Sequence, residues 1–228
     1  MLPIYIQIST GLLMGYLTAT LSESILHRYV THATRQRKCR WASNPRLYCY
    51  LSRSHFRHAI VHHGWTFRSD HVTQFDNNNH RISVDSRALA AGDGKIKEID
   101  YGLRAGWIGF VTYNLTTIPI LPILAIVFGP WSAATATPLL AITPVLSRWF
   151  HPYLHCNHEN AIREAPIWIA WLLQTTYFKA VARHHFLHHK HPNSNFNLLL
   201  GGDWLLGVHR SPTLADLEEM KGLGLRID

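Results

Sequence analysis

The chain has 228 residues, 22 Lys and Arg against 14 Asp and Glu (net charge +8), 47% hydrophobic residues and a mean hydropathy of −0.04. This length suits one domain with a full core. Three cysteines (Cys39, Cys49, Cys156) without CxxC spacing exclude a disulfide framework and a thiolate zinc site and fit a reducing compartment. No nucleic-acid-binding motif accompanies the basic charge, so nucleic acid is not an expected partner.

Residues Met1 to Ser22 carry no charge, enough for one membrane crossing, which takes about 20 apolar residues. A helix is expected from Pro3 to His27, with Gly11 and Gly15 four apart to allow close helix packing. The segment lacks the basic start and the cleavage site of a signal peptide. Arg28, Arg35, Arg37, Lys38, Arg40, Arg46, Arg53 and Arg57 follow at once. That bias places the loop in the cytoplasm, its charges against lipid headgroups.

Thr31 to Leu51 reads as irregular, Ser52 to Trp65 as a helix, and Arg68 to Gly94 as loop and turn, through Asp76-Asn77-Asn78-Asn79 and Gly92-Asp93-Gly94. Ile96 to Arg104 is a short amphipathic lead into a second charge-free stretch, Ala105 to Ser147. This stretch has room for two crossings joined at Gly129-Pro130, and membrane helices tolerate its Pro119, Pro122, Pro138 and Pro144. Ala165 to Phe178 is too short to span and suits an interfacial or re-entrant helix. The expected fold is therefore all-α: an integral membrane protein with about three transmembrane helices plus interfacial and cytoplasmic helices. It forms one domain over 1–228, divided into a first membrane helix (1–26), a cytoplasmic part (27–104), a hairpin (105–150) and a second cytoplasmic or interfacial part (151–228).

Thirteen of the seventeen histidines lie in four groups: HRYVTH (His27, His32), HFRHAIVHH (His55, His58, His62, His63), HPYLHCNH (His151, His155, His158) and RHHFLHH (His184, His185, His188, His189). Imidazole is the commonest protein ligand for iron, zinc and copper, and four groups exceed the needs of one ion, so two metals are expected. The topology brings all four groups to one membrane face. On an α-helix residues three or four apart share a face, so His185 aligns with His188 and His189 and His151 with His155, while His58, His62 and His63 repeat the first pattern with one more intervening residue. His27 and His32 stand roughly 140° apart on an ideal helix and need a distortion or a helix end to converge. His55, His158 and His184 read equally as ligands or as supports. His71, His80 and His209 read as hydrogen-bonded interfacial residues, and His191, beside Pro192, as no ligand. Of the acids only Glu23, Glu159 and Asp203 lie near the groups. Asp203 reads equally as a carboxylate orienting a ligand imidazole or as a helix N-cap. Trp65, Phe67, Trp149, Tyr153 and Phe186 are candidates to line an apolar cavity or to anchor at headgroups.

HRYVTH, HAIVHH, HPYLH and HHFLHHKHPNSNFNLLLGGDWLLG resemble, in order and spacing, the histidine boxes of the fatty acid hydroxylase superfamily, which includes sterol desaturases, carotenoid hydroxylases and fatty acid 2-hydroxylases. The resemblance covers about Glu23 to Gly207. It implies a membrane-embedded non-haem di-iron monooxygenase holding two iron ions, which zinc can replace, with O2 as co-substrate. It implies an apolar or lipid-like substrate, hydroxylation or desaturation by the same site, and contact with membrane lipid. Electrons are expected from a separate ferredoxin-, rubredoxin- or cytochrome-type donor with its reductase. Carried over by position, the ligands are His27, His32, His58, His62, His63, His151, His155, His185, His188 and His189. The second box has three residues between His58 and the pair where the hydroxylases usually have two, which leaves His55 and His58 as alternatives. One crossing precedes the first box where many relatives have two. The expected location is a bacterial inner membrane with the site facing the cytoplasm. A zinc- or copper-handling membrane protein is the alternative from another class.

Overall fold

The first helix is built inside out relative to one in water. In the computed structural model, which describes residues 2–225, α1 spans Ile4–Leu26 and runs without a break into a π-helical turn at His27–Thr31. Met1, at the head of the first predicted segment, and residues 226–228, at the tail of the last, lie outside the described residues. The side of α1 turned to the protein carries Gln7, Gly11, Gly15, Ala19, Thr20, Glu23 and Ser24, while Ile4, Leu12 and Leu13 are exposed. Small residues inward and large apolar residues outward are the pattern of a helix whose surroundings are as apolar as its side chains.

The second apolar stretch forms α5 (Trp107–Thr117) and α6 (Ile120–Phe128), a turn at Gly129, then α7 (Pro130–Leu140) and α8 (Ile142–Trp149). Gly129 has φ +108°, a conformation that glycine alone adopts at little cost. Two helical stretches, Ile4–Thr31 and Trp107–Phe128, are long and apolar enough to cross a membrane. The return limb, expected as a third span, is divided at Ala141, three residues after Pro138 and three before Pro144, whose ring nitrogen has no hydrogen to donate. Close packing of α1 on α7 depends on Gly15, where a Cβ would stand 2.8 Å from the Ala136 Cα.

The remaining elements are also helical, with no strand among the described residues. The stretch expected to be irregular forms α2 (Arg35–Ser43) and α3 (Pro45–His55), and α3 continues as a π-helix over Phe56–Trp65. The Asn-rich stretch expected as loop starts α4 (Asn78–Ala90). The Asn77 side chain caps it by accepting the His80 N–H at 2.9 Å, and Asn44 caps α3 in the same way. The lead into the hairpin is a 3-10 segment, Ile96–Gly102, with Asp100 and Tyr101 at positive φ. The chain then continues through α9 (His151–Leu154), α10 (His158–Glu164), α11 (Ile167–Leu173), α12 (Thr176–Lys190), α13 (Gly202–Leu205) and α14 (Leu214–Gly222). The predicted interfacial stretch contains α11, which exposes Ile167, Trp168 and Trp171.

The main core joins Ala19, Leu140, Leu146, Phe150, Ile169, Phe178 and Val181 to Leu198, Leu199 and Leu200 of the segment between α12 and α13. That segment lies irregular against the lower half of α1, so its main chain needs partners. Glu23 accepts the N–H groups of Leu198 and Leu199 at 2.8 and 3.0 Å. Asp203 accepts that of Asn197 at 2.9 Å, and Thr20 accepts that of Gly202 at 2.7 Å. The Leu199 and Leu200 carbonyls take the hydroxyls of Thr20 and Tyr16. The polar residues of an otherwise apolar helix thus stitch an irregular segment in place.

Candidate metal centre

Two wide turns converge the first two boxes. In a π-helix each N–H bonds to the carbonyl five residues back, so residues five apart come one above the other. At box one the His32 N–H donates to the His27 carbonyl at 3.0 Å, and the two rings stack 5.3 Å apart. This is the distortion the spacing required. At box two the same geometry brings His58 over His63, with Nε2 atoms 3.1 Å apart, while the adjacent His62 points to another group. The extra residue between His58 and the pair is thereby absorbed.

Boxes three and four use ordinary helices. His151 begins α9 and His155 follows its end, and α12 presents His185 and His189 one turn apart, with His188 diverging. Two groups of nitrogen atoms result, each lying within 4.8 Å of one another: His62, His151, His155, His185 and His189, and His27, His32, His58 and His188. Nine of the ten residues carried over from the resemblance fall in them. The tenth, His63, stands in neither group and stacks on His189 with centroids 4.0 Å apart.

The main chain fixes which nitrogen faces inward. Nδ1 of His151 donates to the Leu103 carbonyl (2.7 Å), of His155 to the His71 carbonyl (2.8 Å), of His188 to the Ser194 carbonyl (2.9 Å), and of His27 to the Phe196 carbonyl. A neutral imidazole has one N–H, so each of these four turns a lone pair at Nε2 toward its group. Burial keeps the rings neutral: it holds His151 and His188 down to about 4 and His32 to about 3. Burial, joined by repulsion from neighbouring imidazoles, holds His58, His62, His63, His155, His185 and His189 well below the usual value.

In the five-member group at least one lone pair then meets another. His185 Nε2 lies 2.9 Å from His151 Nε2 and 2.8 Å from His155 Nε2, and it has at most one hydrogen to offer the two. His27 and His58 meet at 2.7 Å, His32 and His188 at 3.1 Å, and His62 and His189 at 3.1 Å. Nitrogens on adjacent positions of one metal stand about 3.0 Å apart when each bond is about 2.1 Å. Neutral, pre-aimed ring nitrogens converging at that separation fit a pair of bound cations. Neither group contains a carboxylate.

Of the less certain residues, His55 donates from Nδ1 to the Thr31 carbonyl at 2.8 Å and belongs to neither group, so box two contributes His58. His158 starts α10, its N–H on the Gly224 carbonyl, and its side chain lines a small cavity with Cys156 and Phe178. His184 pairs through Nε2 with Asp203 at 2.9 Å and stacks on His209. Asp203 therefore holds His184 and the Asn197 amide rather than an imidazole of either group, and Gly201 stands at the N-cap of α13.

Among the named aromatics, Phe67 stacks on His155 at 4.2 Å from a strained φ of +32°, and Phe186 lies 5.5 Å from His71. Trp65, Trp149 and Tyr153 pack elsewhere, against Phe56, Trp168 and the main core. Two residues were not legible in the spacing. Phe196 lies 5.5–6.1 Å from the rings of His27, His32 and His188. His71 is buried 4.4 Å from His155, holds that ring through its own carbonyl, and donates from Nε2 to the Leu154 carbonyl. A lone histidine outside any box gives no signal of that kind.

No family model, curated protein or solved structure matches this chain.

Proposed function

We propose that the protein is a membrane-embedded non-haem di-iron oxygenase that hydroxylates an unactivated C–H bond of an apolar, lipid-like substrate. The observation that carries the reading is the meeting of inward lone pairs from four separate boxes in two adjacent, carboxylate-free groups. Two iron ions held there would supply reductive O2 activation, so that O2, R–H, two electrons and two protons give R–OH and water. The chain's own part is positional. Leu103, His71, Ser194 and Phe196 carbonyls hold ring orientation, while Phe67 and Phe196 cover ring faces with apolar surface and keep water off them. Desaturation, with both oxygen atoms leaving as water, uses the same residues.

The inverted polarity of α1 and the exposed Ile108 and Ile126 of the second long helix support residence in a membrane. The basic residues after α1 support a cytoplasm-facing site, in a bacterial inner membrane on this reading, and electrons come from a separate carrier protein. Metal transport fits less well, because the donors form fixed, buried groups at one end of the helices rather than a path along them.

The test is elemental analysis of untagged protein purified in detergent, followed by O2 consumption and product analysis with apolar substrates and a reductant. About two irons per chain and turnover, both lost in His188→Ala, are expected. A metal-free wild-type chain indistinguishable from His188→Ala overturns the reading.

A further inference from the structure

We propose that a small anion binds the metal pair at the four-histidine group, His27, His32, His58 and His188, on the side bordered by His63, and not at the five-histidine group; this rests on the metal reading above. The first argument is donor number. Five imidazoles leave a six-coordinate metal one further position, and four leave it two.

The second is access. In the five-member group four of five, His62, His151, His155 and His185, are between 0 and 5% exposed and only His189 is partly open, and Phe67 and His71 both pack on His155. In the four-member group only His188 is buried; His27, His32 and His58 each keep part of their surface open.

The third is His63. Its stacking on His189 holds it beside both groups without joining either, and its ring borders His58, His32 and His188 of the open group, with its Nε2 3.1 Å from His58 Nε2. An imidazole so placed has an N–H with which to meet an anion arriving there.

The fourth is charge. Two divalent cations among neutral imidazoles form a strongly positive, largely buried centre. The acids near it are engaged: Glu23 with the Leu198 and Leu199 amides, Asp203 with the Asn197 amide and His184. Compensation then comes from an external anion, in a group where Phe196 flanks three of the four rings.

The probe is azide, titrated against the full chain loaded with Co(II) in detergent, read by visible absorption, with cobalt per chain measured separately. Wild type is expected to hold two cobalt ions and one azide. His63→Gln is expected to keep both cobalt ions and to bind azide about tenfold more weakly, the effect of one lost hydrogen bond to a charged ligand. Phe196→Leu is expected to shift the azide band, and Phe67→Leu to change neither affinity nor band. Four results overturn the proposal: loss of a cobalt ion in His63→Gln, which makes it a fixed ligand; azide sensitivity in Phe67→Leu alone; azide affinity and band unmoved by His63→Gln and Phe196→Leu; or no spectral response of the two-cobalt protein. Failure of wild type to bind cobalt instead refutes the underlying metal reading, which elemental analysis distinguishes.

Discussion

Replacing Glu23 by Leu tests whether the segment between α12 and α13 governs one metal group separately from the other. The Glu23 carboxyl group accepts two buried main-chain N–H groups, those of Leu198 and Leu199. Leucine leaves both without an acceptor. Each orphaned N–H costs about 1–3 kcal/mol, so the substitution should destabilise by about 2–6 kcal/mol. In a chain of this size that lowers the melting temperature by roughly 2–4 °C per kcal/mol, hence by at least about 4 °C. The effect should reach the metals selectively. The loosened segment carries the Phe196 carbonyl that orients His27 and adjoins the Ser194 carbonyl that orients His188. His151 and His155 are oriented from Leu103 and His71, on other parts of the chain. Thermal unfolding in detergent and elemental analysis should therefore show a lower melting temperature and a metal content falling from two toward one. Glu23→Gln, which keeps one acceptor, should lie between. A Glu23→Leu protein that melts with wild type and keeps both metals would refute the reasoning.

Three further outcomes are expected. Metal-stripped protein should lose stability as pH falls below about 6.5, the unfolded-chain value. Above it His151 and His188 are neutral folded or unfolded; below it the unfolded chain gains protons that the folded chain refuses until about 4. Each of these rings should account for about 2 kcal/mol between pH 6.5 and 4.5, and a flat profile in denaturant titrations would count against their neutrality. His58→Ala should lose a metal while His55→Ala keeps both, and equal losses in elemental analysis would reinstate His55 as a ligand. Gly15→Ala should destabilise by about 1–3 kcal/mol in thermal unfolding, since its Cβ meets the Ala136 backbone; an unchanged melt would show that α1 and α7 can separate freely.

Much of the centre was legible because the chemistry resides in residue type. Imidazoles at intervals of three to five beside apolar runs point to metals whatever the backbone does, and nine of the ten fall in the two groups. The all-helical fold and the turn at Gly129 were legible for a similar reason: unbroken apolar runs need internal hydrogen bonding, and Gly-Pro ends a helix. The helices around box two were not. Arg35 to Arg40 carry no apolar stripe, and Asn77 is the same residue whether it caps a helix or opens a loop. The return limb read as a span because hydropathy does not register that Pro138 and Pro144 flank a break at Ala141. The anchoring of ring nitrogens was wholly hidden, since a carbonyl at Leu103 or Ser194 belongs to every residue type alike.

The two π-helical turns bear on how such centres are sought in other chains. A helix read at intervals of three and four discards a pair of histidines five apart as belonging to opposite sides. Here His27 with His32, and His58 with His63, are such pairs, and π-helical winding puts each on one side while the α-helix before it stays regular. Spacing in a ligand box is thus a property of the local winding and not a fixed ruler. A one-residue insertion beside a ligand signals a wider coil before it signals a lost site.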